Sequence, residues 1–405
     1  MSVSDKLNLA NARASARLYF LDWVRILAFF LLIAFHVGMY YVSWGWHIKS
    51  LDAGSALEPL MRLSSPWRLG LLFLISGVAS SFMLQKKRPG NFARERSVRL
   101  LPPLLFGMLV IVPPQAYYEV VEKLAYSGSY LDFMQLYLQR YRGFTIDGQR
   151  LILPTWNHLW FVAYLWVYSM LLCLFVQLAP AWFAGLRLRF IRLLQGWGML
   201  FFPIAYLAVI RVLMLTPFPS TNNLVWDWFN HATYLFLFFA GVFLADAGEF
   251  WQQVSVVRRR SLRLAAACWV LLTVYYGWFV EGPQWLLYVQ RVVWVTMAWN
   301  AILAACGFAY VHLNFDHATR RYLTQAVFPV YILHQTIIVV LAHNLKIFKI
   351  PAPAEALLLI AATVALSFAG FELIRRTAIL RPLFGLPMHA QYPRISSTAA
   401  SVPSR

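Results

Sequence analysis

Two ionisable side chains share one long apolar run. Residues 18–42, LYFLDWVRILAFFLLIAFHVGMYYV, contain Arg25 and His36, with Asp22 near the start. At 100° per residue, positions eleven apart lie within about 20° of the same helix face and roughly 16 Å apart along the axis. A charge near the middle of a bilayer costs several kcal/mol, so an intramembrane ionisable residue marks function. A neutral imidazole, with an ordinary pKa near 6.5, can take a proton from a hydroxyl and return it to a leaving group. His36 is therefore the catalytic candidate. Arg25 is a fixed cation toward one end of the same stripe, and Asp22 can orient it.

Other groups join these two. Arg96 and Arg99 stand one turn apart, just before Pro102 and Pro103, at the edge of an apolar run. Arginine forks suit phosphate bidentately, so the pair fits the mouth for a phosphorylated donor. His158 and Trp160 lie in NHLWF, His334 in YILHQ, and His47 beside Trp46 in a polar connection. These four, with Arg211 inside an apolar run, are candidates for contacting substrate. Glu372, near the end of the last apolar run, is a candidate partner for Arg25. Cys173, Cys268 and Cys306 all sit in apolar runs without metal-ligand spacing, so no metal site is expected. There is no phosphate-binding glycine loop, dinucleotide fingerprint, zinc-protease motif or hydrolase elbow.

The elements that must position these groups are membrane helices. Sixty per cent of the 405 residues are hydrophobic and 13% charged, against about 25% charged in a soluble domain. Apolar runs fall near 18–42, 66–84, 100–118, 157–179, 197–215, 229–245, 264–280, 289–311, 325–345 and 355–374. The fold class is thus all-α, a polytopic membrane helix bundle of about ten transmembrane helices with no soluble domain. The organisation is a tail at 1–17, a membrane domain at 18–376 and a partly disordered tail at 377–405. The first run is too long for a cleavable signal peptide and has no small-residue cleavage site after it. Most of the 35 Lys and Arg fall in the tails and even-numbered connections, above all 86–99 and 258–263. That bias places both termini on the cytoplasmic side. The formal charge of +19 is scattered between apolar runs rather than gathered on one face, which argues against a nucleic-acid partner. Residues 119–156 form the longest connection.

This pattern resembles the integral-membrane acyltransferase-3 family. Its members carry Arg, ten residues, then His in the first span, here Arg25 and His36, and Arg-x-x-Arg before the third, here Arg96 and Arg99. YFLDWVR, WHIKS, FLISG, HLWF and YILH look most like the branch that succinylates periplasmic glucans. The resemblance implies an enzyme of the bacterial inner membrane that moves an acyl group from cytosolic acyl-CoA to a glycan hydroxyl. Succinyl-CoA is the favoured donor, with acetyl-CoA as an alternative. An osmoregulated periplasmic glucan is the favoured acceptor, with another surface polysaccharide or a glycolipid as alternatives. The donor nucleotide would meet Arg25, Arg96 and Arg99, and His36 would act as general base or transient acyl carrier. Arg211 is a candidate for the free carboxylate of a succinyl group. From a different class, a secondary transporter would use His36 and Arg25 as a proton or anion relay. It would be expected to show inverted repeats, and none is visible.

Overall fold

The structure is a computed structural model that describes residues 18–146 and 148–388. The expected tail at 1–17 and residues 389–405 of the other tail lie outside the described residues. The fold is all-α. Its principal helices in chain order are α1 (Tyr19–Tyr41), α2 (Glu58–Ser64), α3 (Arg68–Gln85), α4 (Pro89–Phe106), α5 (Pro113–Leu124), α6 (Tyr130–Leu138), α7 (Trp160–Leu178) and α8 (Pro180–Leu193). They continue with α9 (Gly198–Met214), α10 (Trp228–Leu244), α11 (Gly248–Trp278), α12 (Gln284–His312), α13 (Ala318–Leu345) and α14 (Ala352–Arg376). Among the described residues, strand structure is limited to a two-residue hairpin, Thr145–Ile146 with Gln149–Arg150.

Seven helical stretches of the described residues are long and apolar enough to cross a membrane, or nine if each of two bent pairs counts as one span. About ten were expected. The shortfall lies at the fifth, sixth and seventh runs, which fall in the two bent pairs, and α9 and α10 have 17 residues each. At 1.5 Å per residue such a helix spans about 25 Å, less than the roughly 30 Å of a bilayer core. The bends are 111° between α8 and α9 and 114° between α10 and α11.

Local chemistry explains the ends of the site-bearing helices. Asp22 lies in the first turn of α1, where the helix dipole favours an acid. At its other end the Lys49 amine donates to the carbonyls of Met39 (2.7 Å) and Val42 (2.6 Å). Desolvation pushes that amine down to about 8. After Pro102 and Pro103, residues Gly107–Ile111 widen into a π-helical turn closed by Val112 N–H to the Gly107 carbonyl at 2.8 Å. The widening and the prolines that follow, which have no N–H to give, leave carbonyls without helical donors, and two of these are met by hydroxyls. The Tyr137 hydroxyl satisfies Met108 (2.7 Å) and the Thr336 hydroxyl satisfies Ile111 (2.6 Å). Irregular backbone at membrane depth survives only where its polar groups are met in this way. Residues 119–156, expected as a connection, hold the end of α5, α6 and the hairpin. Their small core includes Val120, Phe133, Tyr137 and Phe144.

The bundle core joins α1, α3, α7, α10 and α12 in one apolar cluster. α3 and α10 pack backbone to backbone. A Cβ added to Gly77 would lie 1.9 Å from the Phe238 carbonyl oxygen, and one added to Gly241 would lie 1.9 Å from that of Leu74. Small residues permit this approach where water provides no drive for helix association. Gly77→Ala is therefore expected to push the helices apart and cost about 1–3 kcal/mol, the usual overpacking penalty. Thermal unfolding in detergent checks it; an unchanged midpoint would show that the contact is not limiting.

Candidate active site

His36 is half-buried on α1 and faces α13. Its Nδ1 lies 2.7 Å from Nε2 of His334, with the rings nearly parallel at 11°. His334 is fully buried, and its own Nδ1 lies 2.6 Å from the Tyr331 carbonyl oxygen. A carbonyl only accepts, so His334 Nδ1 carries the proton. In a neutral ring Nε2 is then the lone pair, and it accepts from Nδ1–H of His36. The Nε2 of His36 is left as a lone pair, with no hydrogen-bond partner among the described residues. Arranged this way, the imidazole can take a proton from a hydroxyl, and His334 holds it in the correct tautomer and orientation.

His36 lines a cavity of about 620 Å³, within the usual range for a small-molecule site. Its wall includes Arg68, Trp160, Tyr331 and Gln335, and its rim comes from residues 46–47, 152–158 and 221–223. Two buried networks hold that rim. In the first, His47 Nδ1 donates to Glu119 at 2.5 Å, and Lys123 donates to the other Glu119 oxygen at 2.8 Å. The Gln335 amide donates at 3.0 Å to both His47 Nε2 and Gln115 Oε1. Gln115 in turn donates to Thr336 (2.7 Å) and accepts from Asn157 (3.0 Å). In the second, the buried Asp227 accepts from the backbone amides of Thr221 and Asn222, both at 3.0 Å, and from the Tyr164 hydroxyl at 2.5 Å.

The structure places the sequence candidates in three groups. His36, His47, His158, Trp160 and His334 meet around this cavity or directly behind it. His158 donates from Nε2 to the Ile332 carbonyl at 3.1 Å and lies edge-on to His334 at 5.2 Å. Its backbone carbonyl accepts from the Tyr331 hydroxyl.

Arg25, Arg96 and Arg99 form the second group, away from the cavity lining. Arg25 pairs with Asp22 at 3.3 Å. Asp22 also pairs with the fully buried Arg320 of α13, which bonds Asp316 at 2.6 Å. Arg96 is buried and donates to Ser169 (3.0 Å) and Ser80 (3.2 Å), whereas Arg99 is exposed. Phe29 stands between Arg25 and His36 on α1, buried and edge-on to Tyr331.

The third group lies elsewhere. Arg211 stacks on Trp294 at 4.4 Å, outside the cavity lining. Glu372 does not meet Arg25; it accepts from Tyr322 (2.8 Å) and pairs with Arg375 (2.9 Å) and Arg376 (3.1 Å). Arginines three and four residues on are nearer than a group on another helix. Sequence reasoning missed Arg68, Gln115, Glu119, Gln335 and Arg320 as site or support residues. Gln335 and Asn157 sit next to flagged histidines in YILHQ and NHLWF, and that adjacency was the available signal. Among the described residues no three His, Cys, Asp or Glu are grouped to hold a metal.

The family described as Acyltransferase domain matches residues 18–372. Glucans biosynthesis protein C of Escherichia coli strain K12, and the same-named protein of strain HS, are each 23% identical over 340 residues, covering 80% of this chain and 83% of theirs. No solved structure matches. The chain belongs to this acyltransferase family and is a membrane-embedded transferase of acyl groups. If His334 orients the reactive ring, His334→Ala lowers the acyl-transfer rate by about 10²–10⁴-fold, the usual range for losing acid–base competence, while KM for either substrate changes little. Steady-state kinetics decide, and an unaltered rate would mean His36 needs no such partner.

Proposed function

We propose that this acyltransferase moves an acyl group, with succinyl favoured, from cytosolic acyl-CoA to a hydroxyl of a periplasmic glucan. The observation that carries the reading is the Tyr331 carbonyl, His334, His36 chain, which leaves His36 Nε2 free as a base on the wall of a cavity large enough for a sugar. The similarity to glucans biosynthesis protein C supports the choice of acceptor class. O-acetylation of another surface polysaccharide or a glycolipid is the second reading, on the same chemistry.

In this reaction the acceptor hydroxyl gives its proton to His36 Nε2 as its oxygen attacks the thioester carbon. The carbon–oxygen bond forms, the carbon–sulfur bond breaks, and His36 returns the proton to the departing thiolate. His334 Nε2 accepts from the imidazolium throughout. In this role it takes the place of the carboxylate in a serine-protease triad. The proton on His334 Nδ1 stays in place, hydrogen-bonded to the Tyr331 carbonyl.

The acceptor enters through the rim formed by residues 46–47, 152–158 and 221–223, in keeping with an orientation that puts both termini in the cytoplasm of a bacterial inner membrane. The donor's phosphates lie at the opposite end, near Arg25, Arg96 and Arg99. Of these, the exposed Arg99 is the best placed to meet a phosphate, since Arg96 is already engaged with Ser80 and Ser169. The donor's extended arm then passes the Phe29–Tyr331 layer to bring its thioester to His36, so that layer must part during turnover.

Purified protein in nanodiscs, given succinyl-CoA and a glucan, tests this by mass spectrometry of the glucan. The wild type is expected to add succinyl increments, and His36→Ala to add none while still binding acyl-CoA. Undiminished modification by His36→Ala would remove His36 from the chemistry. Arg99→Ala is expected to weaken acyl-CoA binding several-fold, with a flatter salt dependence than wild type because one screened charge contact is gone. Titration at two ionic strengths checks it.

A further inference from the structure

Arg68, the first residue of α3, is a buried cation without a counter-ion. Its side chain is 3% exposed. Nη1 donates to Ser64 Oγ at 3.1 Å, and Nε is buried with no acceptor. The guanidinium lies over the Phe35 ring at 3.7 Å, and among the described residues no carboxylate pairs with it. Of the other buried arginines, Arg62 has Glu58 at 2.5 Å and Arg320 has both Asp22 and Asp316. Arg96 and Arg291 also lack a carboxylate, but each makes two hydrogen bonds to neutral acceptors, and neither lines the cavity that holds His36. A desolvated cation left without an anion is costly, because nothing repays its lost hydration. Arg68 lines the same cavity as His36. The Phe35 ring bridges the two, 3.7 Å from the guanidinium and 6.0 Å from the imidazole centroid.

We infer that Arg68 binds a free carboxylate at the far end of the transferred acyl group, and so selects dicarboxylic acyl donors. The inference rests on the proposed acyl-CoA reaction and names the residue that reads its donor. The missing partner is a permanent charge, so a permanent anion suits it better than an oxyanion that exists only in the transition state. With the reacting carbonyl at His36, a short dicarboxylic chain spans the width of one aromatic ring and places its carboxylate at the guanidinium. The planar fork then takes the carboxylate with its unused donors, which a lysine would do less well. Arg211, the sequence candidate for this role, is held on Trp294 outside the cavity.

Succinyl-CoA and butyryl-CoA have acyl chains of the same length and differ in the terminal carboxylate. The full chain in nanodiscs, with glucan acceptor, is assayed with each. Wild type is expected to prefer succinyl-CoA in kcat/KM. Arg68→Gln is expected to lower that preference by about 100-fold, the scale of losing one buried charge partner, mainly through a higher KM for succinyl-CoA. Its butyryl transfer should persist, which also reports an intact fold, and Arg68→Lys should recover part of the preference. An unchanged succinyl-to-butyryl ratio in Arg68→Gln overturns the assignment. So does equal loss of both activities with equal recovery in Arg68→Lys, which would make Arg68 a support of the fold. Wild-type protein that moves butyryl but not succinyl overturns the assignment and leaves acyl transfer standing; protein that moves neither overturns both.

Discussion

The Tyr331 carbonyl can only accept a hydrogen bond, and the protonation pattern of the site follows from that. It sets the proton on His334 Nδ1, which makes His334 Nε2 an acceptor, which puts the His36 proton on Nδ1 and leaves Nε2 bare. Every other part of the arrangement serves to keep those three groups in line. His158 packs edge-on against His334 and bonds the backbone of α13 on one side, while the Tyr331 hydroxyl returns to the His158 carbonyl. The α13 end of the relay is therefore locked against the turn that precedes α7 by bonds in both directions. Such preorganisation lets a base act without first reorganising its surroundings.

A cavity at membrane depth has a cost of its own. Opening one interrupts regular helix, and backbone groups that lose a helical partner cannot turn to lipid for another. The π-helical turn at Gly107–Ile111 sits beside the cavity, and its Met108 and Ile111 carbonyls are met by hydroxyls from other segments, Tyr137 and Thr336. The Gln115–Gln335 amide pair uses its donors and acceptors in the same manner, tying α5 to α13 and, through His47 and Glu119, to the first connection. The small core of residues 116–153 supports this rim from outside. Cavity and network are two aspects of one packing solution.

Charge is distributed just as unevenly. At one end, Arg25 pairs with Asp22 and Arg320 with Asp22 and Asp316, whereas Arg96 is hydrogen-bonded by serine hydroxyls without a counter-charge and Arg99 is exposed. At the cavity, Arg68 retains an unmet capacity for an anion. Between the two regions lies packed aromatic material, Phe29 against Tyr331. On the proposed reaction, the donor has to bridge the two regions, which suits a long molecule with its charge concentrated at one terminus.

Much of this was legible in the amino-acid order. Apolar run length and the periodic placement of Lys and Arg identified an all-helical membrane bundle, because a bilayer demands long apolar segments whatever they later pack against. Arg25 and His36 stood out because an ionisable group in such a segment is expensive. The bends that shorten α9 and α10 were not legible, since run length alone does not distinguish a straight span from two helices meeting at an angle. Nor was the orientation of His36 by His334, 298 residues away. Only the tertiary structure decided that YILHQ faces the first helix and that Arg68 opens into the cavity while Arg211 does not. It likewise directed Glu372 to its own helix neighbours. These are distances between helices remote in sequence, determined by close packing at positions such as Gly77 and Gly241, and a linear pattern carries no measure of them.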